Sequence, residues 1–268
     1  MTTLMAIGGA INTKKPVILE EFVRRAGGAG ARIVILPQAS SLAETGQYYV
    51  EVFRGLGVET ATALEFRQRA EAGTPEQIEL IRAASGIFIT GGNQLRLSVL
   101  YGGTPLEAEL LAAYRRGCLV GGTSAGAAIL SKTMIANGKR GPSPREGQVQ
   151  FAPGLGFTAQ FTFDQHFRQR DRLGRLAYAV ATHPGLLGVG LDEDTAALVE
   201  NETEITVYGS GGVTLVDGRE ISATDVAEIE KGGPVAISNL KVHFLTHGCM
   251  YHGVSRSAEI PIKPLLAE

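Results

Sequence analysis

Gly121-Gly122-Thr123-Ser124-Ala125-Gly126-Ala127-Ala128-Ile129-Leu130 follows the apolar run Cys118-Leu119-Val120, and its reading decides the fold. An apolar strand that meets small residues, presents one hydroxyl and turns into an Ala-rich helix has the layout of a nucleophile elbow, here as G-T-S-A-G. A serine held at such a turn is forced into a tight backbone conformation, so its neighbours must be small or lack a Cβ. The same position gives Ser124 the positive end of a helix dipole and, through the Ala125 N–H, one oxyanion donor. Taken alone the stretch has a second reading, a Gly-rich turn that only packs a strand against a helix.

Upstream of the elbow, residues 4–7, 32–36 and 86–90 read as short buried strands, and 58–63 as an extended segment. Residues 16–26, 47–56, 75–84 and 105–116 have helical patterning, with Thr74 as N-cap and Pro75 opening the third of these. Continuous apolar strands that alternate with helices specify a parallel sheet covered on both faces. Ligands of such sheets gather outside the carboxyl ends of the strands, where Gly8-Gly9, Pro37-Gln38, Gly91-Gly92 and Gly122-Thr123-Ser124 converge. None of these Gly pairs has dinucleotide or P-loop spacing, so no nucleotide cofactor is expected.

Downstream, residues 137–147 are rich in turn formers and basic side chains, and read as a surface loop or a lid. Extended structure resumes at 148–152, and strands at 187–191, 195–199, 205–208, 213–216, 235–238 and 241–245 follow an antiparallel trend, with Asp217-Gly218 as a hairpin-type turn. With no repeat, low-complexity tract or linker, the expectation is one domain over 1–268. The fold class is α/β, a three-layer αβα sandwich with a mainly parallel central sheet and antiparallel C-terminal strands.

Composition narrows the function. A net charge of −2 and a pI near 6.2 give no electrostatic case for nucleic acid or an anionic membrane as partner. Two cysteines far apart in sequence, Cys118 and Cys249, supply neither a disulfide framework nor metal-ligand spacing. The first residues lack a basic n-region and no window reaches the length of a membrane span, so a cytoplasmic protein is expected.

A serine nucleophile needs a base, and the base an orienting acid. Of the five histidines, His166 stands out through its surroundings, Asp164-Gln165-His166-Phe167-Arg168-Gln169-Arg170-Asp171-Arg172-Leu173-Gly174-Arg175. A helix from Arg168 would gather Arg168, Arg172 and Arg175, with Arg170 turned elsewhere. An exposed basic helix start is the other reading of this segment. The acid candidates are Asp192, Glu193 and Asp194, three consecutive carboxylates at the end of an apolar strand that repel one another unless paired or solvated. Glu193 against His166 would supply one pairing; an acidic hairpin tip is the alternative.

Together, G-G-T-S-A-G-A at 121–127, D-Q-H-F-x-x-R-x-R-x-x-R at 164–175, G-L-D-E-D-T-A at 190–196 and G-G-N-Q at 91–94 resemble the cyanophycinases. These are peptidase E-like serine peptidases on a scaffold related to the class I glutamine amidotransferases. The resemblance spans nearly the whole chain; each motif alone is weak, and four in order are strong. It implies Ser124 as nucleophile, His166 as general base and Glu193 as third member, with the Gly92 and Ala125 N–H groups as oxyanion hole. It also implies Gln94, Asp164, Gln165, Arg170, Arg172 and Arg175 as substrate-holding residues, no metal or cofactor, and a homodimer. The implied substrate is cyanophycin, a polyaspartate backbone with arginine on each side-chain carboxyl, cut from its end into β-aspartyl-arginine dipeptides. A peptidase E-like enzyme for short aspartyl peptides and an idle peptide binder are the alternatives. Glutamine amidotransfer is disfavoured, because the elbow carries Ser124 where that chemistry uses Cys.

Overall fold

The computed structural model describes residues 1–261; positions 262–268 of the expected 1–268 domain lie outside the described residues. The first half contains β1 (Thr3–Ile7), α1 (Val17–Ala26), β2 (Arg32–Leu36), α2 (Thr45–Gly55), β3 (Thr60–Ala63), α3 (Pro75–Ala83), β4 (Gly86–Ile89), α4 (Gln94–Tyr101), α5 (Pro105–Arg115), β5 (Leu119–Thr123) and α6 (Ala125–Ala128). The second half contains β6 (Thr133–Gly138), β7 (Val149–Pro153), β8 (Phe161–Asp164), α7 (Leu173–Thr182), β9 (Leu187–Leu191), β10 (Thr195–Glu200), β11 (Glu204–Gly209) and β12 (Gly212–Asp217). It closes with β13 (Ala223–Thr224), β14 (Ile237–Ser238), β15 (Lys241–Thr246), β16 (Met250–His252) and β17 (Ser257–Glu259).

The central nine-stranded sheet has the order β17-β16-β11-β10-β1-β5-β4-β2-β3. From β3 to β1 every pairing is parallel, and from β1 outward through β10, β11, β16 and β17 every pairing is antiparallel. Alternation along β1 shows how both faces are covered. Met5 and Ile7 enter a core with Phe22 of α1 and Phe53 of α2, while Leu4 and Ala6 enter a second core with Leu106 and Leu110 of α5. Phe22 also packs against β5, where a Cβ on Gly121 would come within 2.6 Å of its ring. This is the expected α/β architecture, with helices on both sides of the parallel strands.

The strands of the C-terminal third do not all extend that sheet. β8, β9, β12 and β15 form a separate four-stranded sheet in the order β15-β12-β9-β8. It lies over the Leu4 side, where Phe163, Val189 and Leu215 join the larger core. Consecutive strands β9 and β10 therefore belong to different sheets, and the short link between them is Asp192-Glu193-Asp194. The hairpin expected at Asp217-Gly218 is absent among the described residues, because β12 pairs antiparallel with β9 before it and with the distant β15 after it. The polar stretch 218–240 runs between β12 and β15, and Asp217 instead holds Arg256 at 2.9 Å. Residues 139–147 are fastened: the Gly141 N–H donates to Asp171 O at 2.7 Å, Gly174 N–H to Gly141 O at 2.9 Å, and Val235 N–H to Pro144 O at 3.0 Å. Among the described residues no helix is long and apolar enough to cross a membrane.

Candidate active site

Ser124 stands between β5 and α6 with φ 53° and ψ −112°, a conformation that costs a residue with a side chain about 1–3 kcal/mol. Its neighbours show what allows so sharp a turn. A Cβ on Gly122 would lie 2.0 Å from Gly126 O, and one on Gly126 would lie 2.2 Å from Ile89 O. Both positions therefore exclude every side chain, and the elbow reading of the sequence holds in the backbone.

Three loops meet the carboxyl end of β1. Ser124 donates its backbone N–H to Ile7 O at 2.9 Å, His166 to Gly8 O at 2.8 Å, and Asp194 to Gly9 O at 2.8 Å. The approach is close enough that a Cβ on Gly9 would lie 2.4 Å from the His166 ring, and one on Gly8 1.9 Å from Asp192 O. His166 itself has φ 48°, two residues past the end of β8.

The side chains so placed form one hydrogen-bonded line. Ser124 Oγ is 2.9 Å from His166 Nε2, and His166 Nδ1 is 2.7 Å from Glu193 Oε1. A carboxylate only accepts, so Nδ1 carries the ring proton and Nε2 is left to accept from the serine hydroxyl. In that order the imidazole can take the hydroxyl proton while the carboxylate steadies the charge that forms.

The structure also separates the three consecutive acids. Asp192 accepts from the backbone N–H of Arg168 at 3.0 Å and of Gly212 at 3.1 Å, tying the histidine loop to β12. Asp194 accepts from the Asn12 N–H at 2.9 Å and the Ser210 hydroxyl at 2.8 Å. Glu193 alone faces His166, and its own N–H donates to Gln169 Oε1 at 3.1 Å. Gln169 was not singled out by the sequence, although it lies inside the motif that carries His166.

Burial of the His166 ring is the largest influence on its pKa and pushes it below the ordinary 6.5. The hydrogen bond to Glu193 opposes this, and the charges of Arg170 and Arg172 add to it. The imidazole is thus held neutral and able to act as a base. Two backbone donors lie beside the serine. Gly91 packs over it, since a Cβ there would fall 3.2 Å from Ser124 Cβ, and the N–H groups of Gly92 and Ala125 have no acceptor among the described residues. Gly92, at φ 143°, has its α-carbon against Ala39 O, where a Cβ would come within 2.0 Å.

The arginines divide differently from the single helical cluster expected of them. A 3₁₀ turn over Arg168–Arg170 ends at Asp171, whose φ of 49° breaks the helix before α7 begins at Leu173. Arg168 therefore turns to Asp192, 3.3 Å away, whereas Arg172 and Arg175 converge on Asp164. Asp164 is 1% exposed and Arg175 4%. Arg175 grips the carboxylate with two nitrogens, Nε donating to Oδ2 at 2.6 Å and Nη2 donating to Oδ1. Arg172, 9% exposed, donates to Asp164 Oδ1 at 3.1 Å and to both oxygens of Gln165, and burial lowers its pKa to about 10. Gln94 donates to Ala136 O at 2.8 Å. Of the expected substrate-holding residues, Arg170 alone is exposed with a side chain that has no hydrogen-bond partner among the described residues.

The sequence profile of peptidase family S51 matches residues 4–207. A cyanophycinase from Synechococcus elongatus is 42% identical over 252 residues, covering 93% of this chain and 78% of that protein. Cyanophycinases from Trichormus variabilis and Geminocystis herdmanii are each 39% identical, covering 96% and 94% of this chain and 87% and 93% of theirs. A peptidase from an acI-B1 Actinobacterium superposes with a TM-score of 0.66 at 20% identity, over 94% of this chain and 97% of that one. A putative peptidase E protein from Listeria monocytogenes superposes with a TM-score of 0.55 at 18% identity, over 79% of this chain and all 100% of that one. These two likenesses establish a shared fold. With the profile running from β1 into β11, and so across the loops that carry Ser124, His166 and Glu193, the chain belongs to peptidase family S51.

Proposed function

We propose that this peptidase is a serine-type exopeptidase that hydrolyses cyanophycin, multi-L-arginyl-poly-L-aspartate, to β-aspartyl-arginine dipeptides through an acyl-enzyme on Ser124. The observation that carries the reading is the Ser124–His166–Glu193 hydrogen-bonded line in a chain 39–42% identical to cyanophycinases over nearly its whole length. Ser124 Oγ attacks the scissile carbonyl carbon, His166 Nε2 takes its proton and Glu193 stabilises the imidazolium. The carbonyl oxygen becomes an oxyanion held by the Gly92 and Ala125 N–H groups. His166 then gives the proton to the leaving amine, and water, deprotonated by the same imidazole, releases the acyl group.

Each cyanophycin unit carries a free carboxylate, and a guanidinium fork is the side chain that grips one in two places. Arg170, exposed beside His166, is the residue we assign to that contact. Gln94, Gln165 and Arg172 shape the floor, and the buried Asp164–Arg175 pair holds Arg172 and Gln165 in place. The same reading carries a single domain, a cytoplasmic location and a homodimer, the last checked by light scattering on the eluted protein.

Incubation with insoluble cyanophycin, followed by mass spectrometry, is expected to release β-aspartyl-arginine from the wild type and none from Ser124→Ala. A folded wild type that releases no dipeptide would remove the substrate assignment. The pH profile tests the base separately. Burial and two nearby cations disfavour the imidazolium, so the acid limb of kcat/KM is expected to have its midpoint below the ordinary histidine value of 6.5. Arg170→Gln removes one of those cations and is expected to move the midpoint upward. Measured between about pH 4 and 8, a wild-type midpoint at or above the ordinary value would contradict this account of His166.

A further inference from the structure

A groove of about 990 Å³ opens at the carboxyl ends of β2, β3 and β4, floored in part by the Pro37-Gln38 pair that the sequence placed at the ligand end of the sheet. Its nearer wall is shared with the serine site. Asn93, which lines the groove, donates its N–H to Ala39 O at 2.9 Å, the carbonyl against which Gly92 packs. Ser40 and Arg96 line it next, joined by Arg96 Nη1 donating to Ser40 O at 2.8 Å. Glu65, Phe66 and Arg67, from the loop after β3, form the far wall.

Glu65 and Arg67 differ from many charges on the surface of this protein. Arg24, Arg25, Arg82 and Arg116 each meet a glutamate within 3.3 Å. Glu65 and Arg67 are exposed, and neither side chain has a hydrogen-bond or ion-pair partner among the described residues. An acid and a base two positions apart beside a half-buried aromatic ring match, in charge and spacing, a ligand that carries both charges on an aliphatic stem. An arginyl branch joined through its α-amine has that chemistry: a guanidinium at one end, a free carboxylate at the other, and methylenes between.

Resting on the reading above, we infer that this groove binds arginyl branches of the polymer adjoining the unit being cut, the guanidinium at Glu65, the carboxylate at Arg67 or Arg96, and the methylenes along Phe66. A volume at the upper end of the range for small-ligand sites leaves room for more than one branch. The site then senses chain length: a long polymer fills it and a two-unit oligomer leaves it empty.

The test compares soluble cyanophycin with a two-unit (β-aspartyl-arginine) oligomer, using the wild type, Glu65→Lys and Arg67→Glu. Both positions are exposed, so the fold is retained and thermal melting checks it. The ratio of kcat/KM for polymer to that for oligomer is expected to fall about fivefold in each variant, through KM, as befits loss or reversal of one solvated ion pair. A wild type that cuts both substrates beside variants with an unchanged ratio would overturn the groove assignment and leave the proposed activity standing. A wild type that cuts neither would overturn both.

Discussion

Ser124→Gly is expected to abolish turnover and to stabilise the fold at the same time. The rate loss follows from the hydroxyl: with no nucleophile the histidine has nothing to deprotonate, and removal of such a group costs about 10⁴–10⁶-fold in kcat. The stability gain follows from the backbone. Ser124 has φ 53° and ψ −112°, a region in which a Cβ is crowded and glycine is not. Relief of about 1–3 kcal/mol of strain is offset in part by the greater freedom of glycine in the unfolded chain, leaving a net gain of about 1 kcal/mol. Urea unfolding of wild type, Ser124→Ala and Ser124→Gly separates the two effects. Alanine keeps the strain and loses the hydroxyl, so only the glycine variant should be the more stable. A glycine variant less stable than the alanine one would show that the turn is not strained.

Asp164→Ala is expected to destabilise the protein by about 3–5 kcal/mol, because it leaves two buried guanidinium groups facing each other without their anion. Arg172 and Arg175 both depend on that carboxylate, and Arg175 has little access to water. Against a total stability of about 5–15 kcal/mol the loss is a large fraction, and the variant should unfold at much lower urea. Asp164→Asn keeps one acceptor and should lose less. A change below about 1 kcal/mol for the alanine variant would mean that the arginines find other partners and that the pair does not organise the floor. Refolded Asp164→Asn should retain measurable turnover with a raised KM, since its effect reaches substrate only through Arg172 and Gln165.

The parts of the fold legible in the sequence were those set by local pattern. The apolar runs at 4–7, 32–36 and 86–90 became β1, β2 and β4 with small shifts at their ends. The elbow was legible because its geometry depends on a few adjacent small residues. Other elements depend on distant parts of the chain. β8 is four residues long and ends in a buried aspartate, so nothing local marks it as a core strand; its place follows from parallel pairing with β9. α4 went unread because its short span has little amphipathic pattern, and Asn93, which accepts from the Leu95 and Arg96 N–H groups, is what starts it. Asp164 and Arg175, expected to hold substrate, are buried against each other, since a charge reads as polar in any sequence and only its partner reveals that it is buried. The choice among Asp192, Glu193 and Asp194 likewise required the crossing from one sheet to the other, which aims consecutive side chains at three different neighbours.

The carbonyls of Ile7, Gly8 and Gly9 receive, in turn, the loops that carry the serine, the histidine and the acid. β1 is also flanked by β5 on one side and β10 on the other, the first from the middle of the chain and the second from well beyond it. β1, which precedes both, therefore completes its pairing only after β10 has been made, and contacts of such long range form slowly. A nascent chain that has reached α7 presents the serine and histidine without the link that bears Glu193, and its first strand has an open edge. The Ser124–His166–Glu193 line is therefore closed only once the β9–β10 link has been made and the two sheets have met.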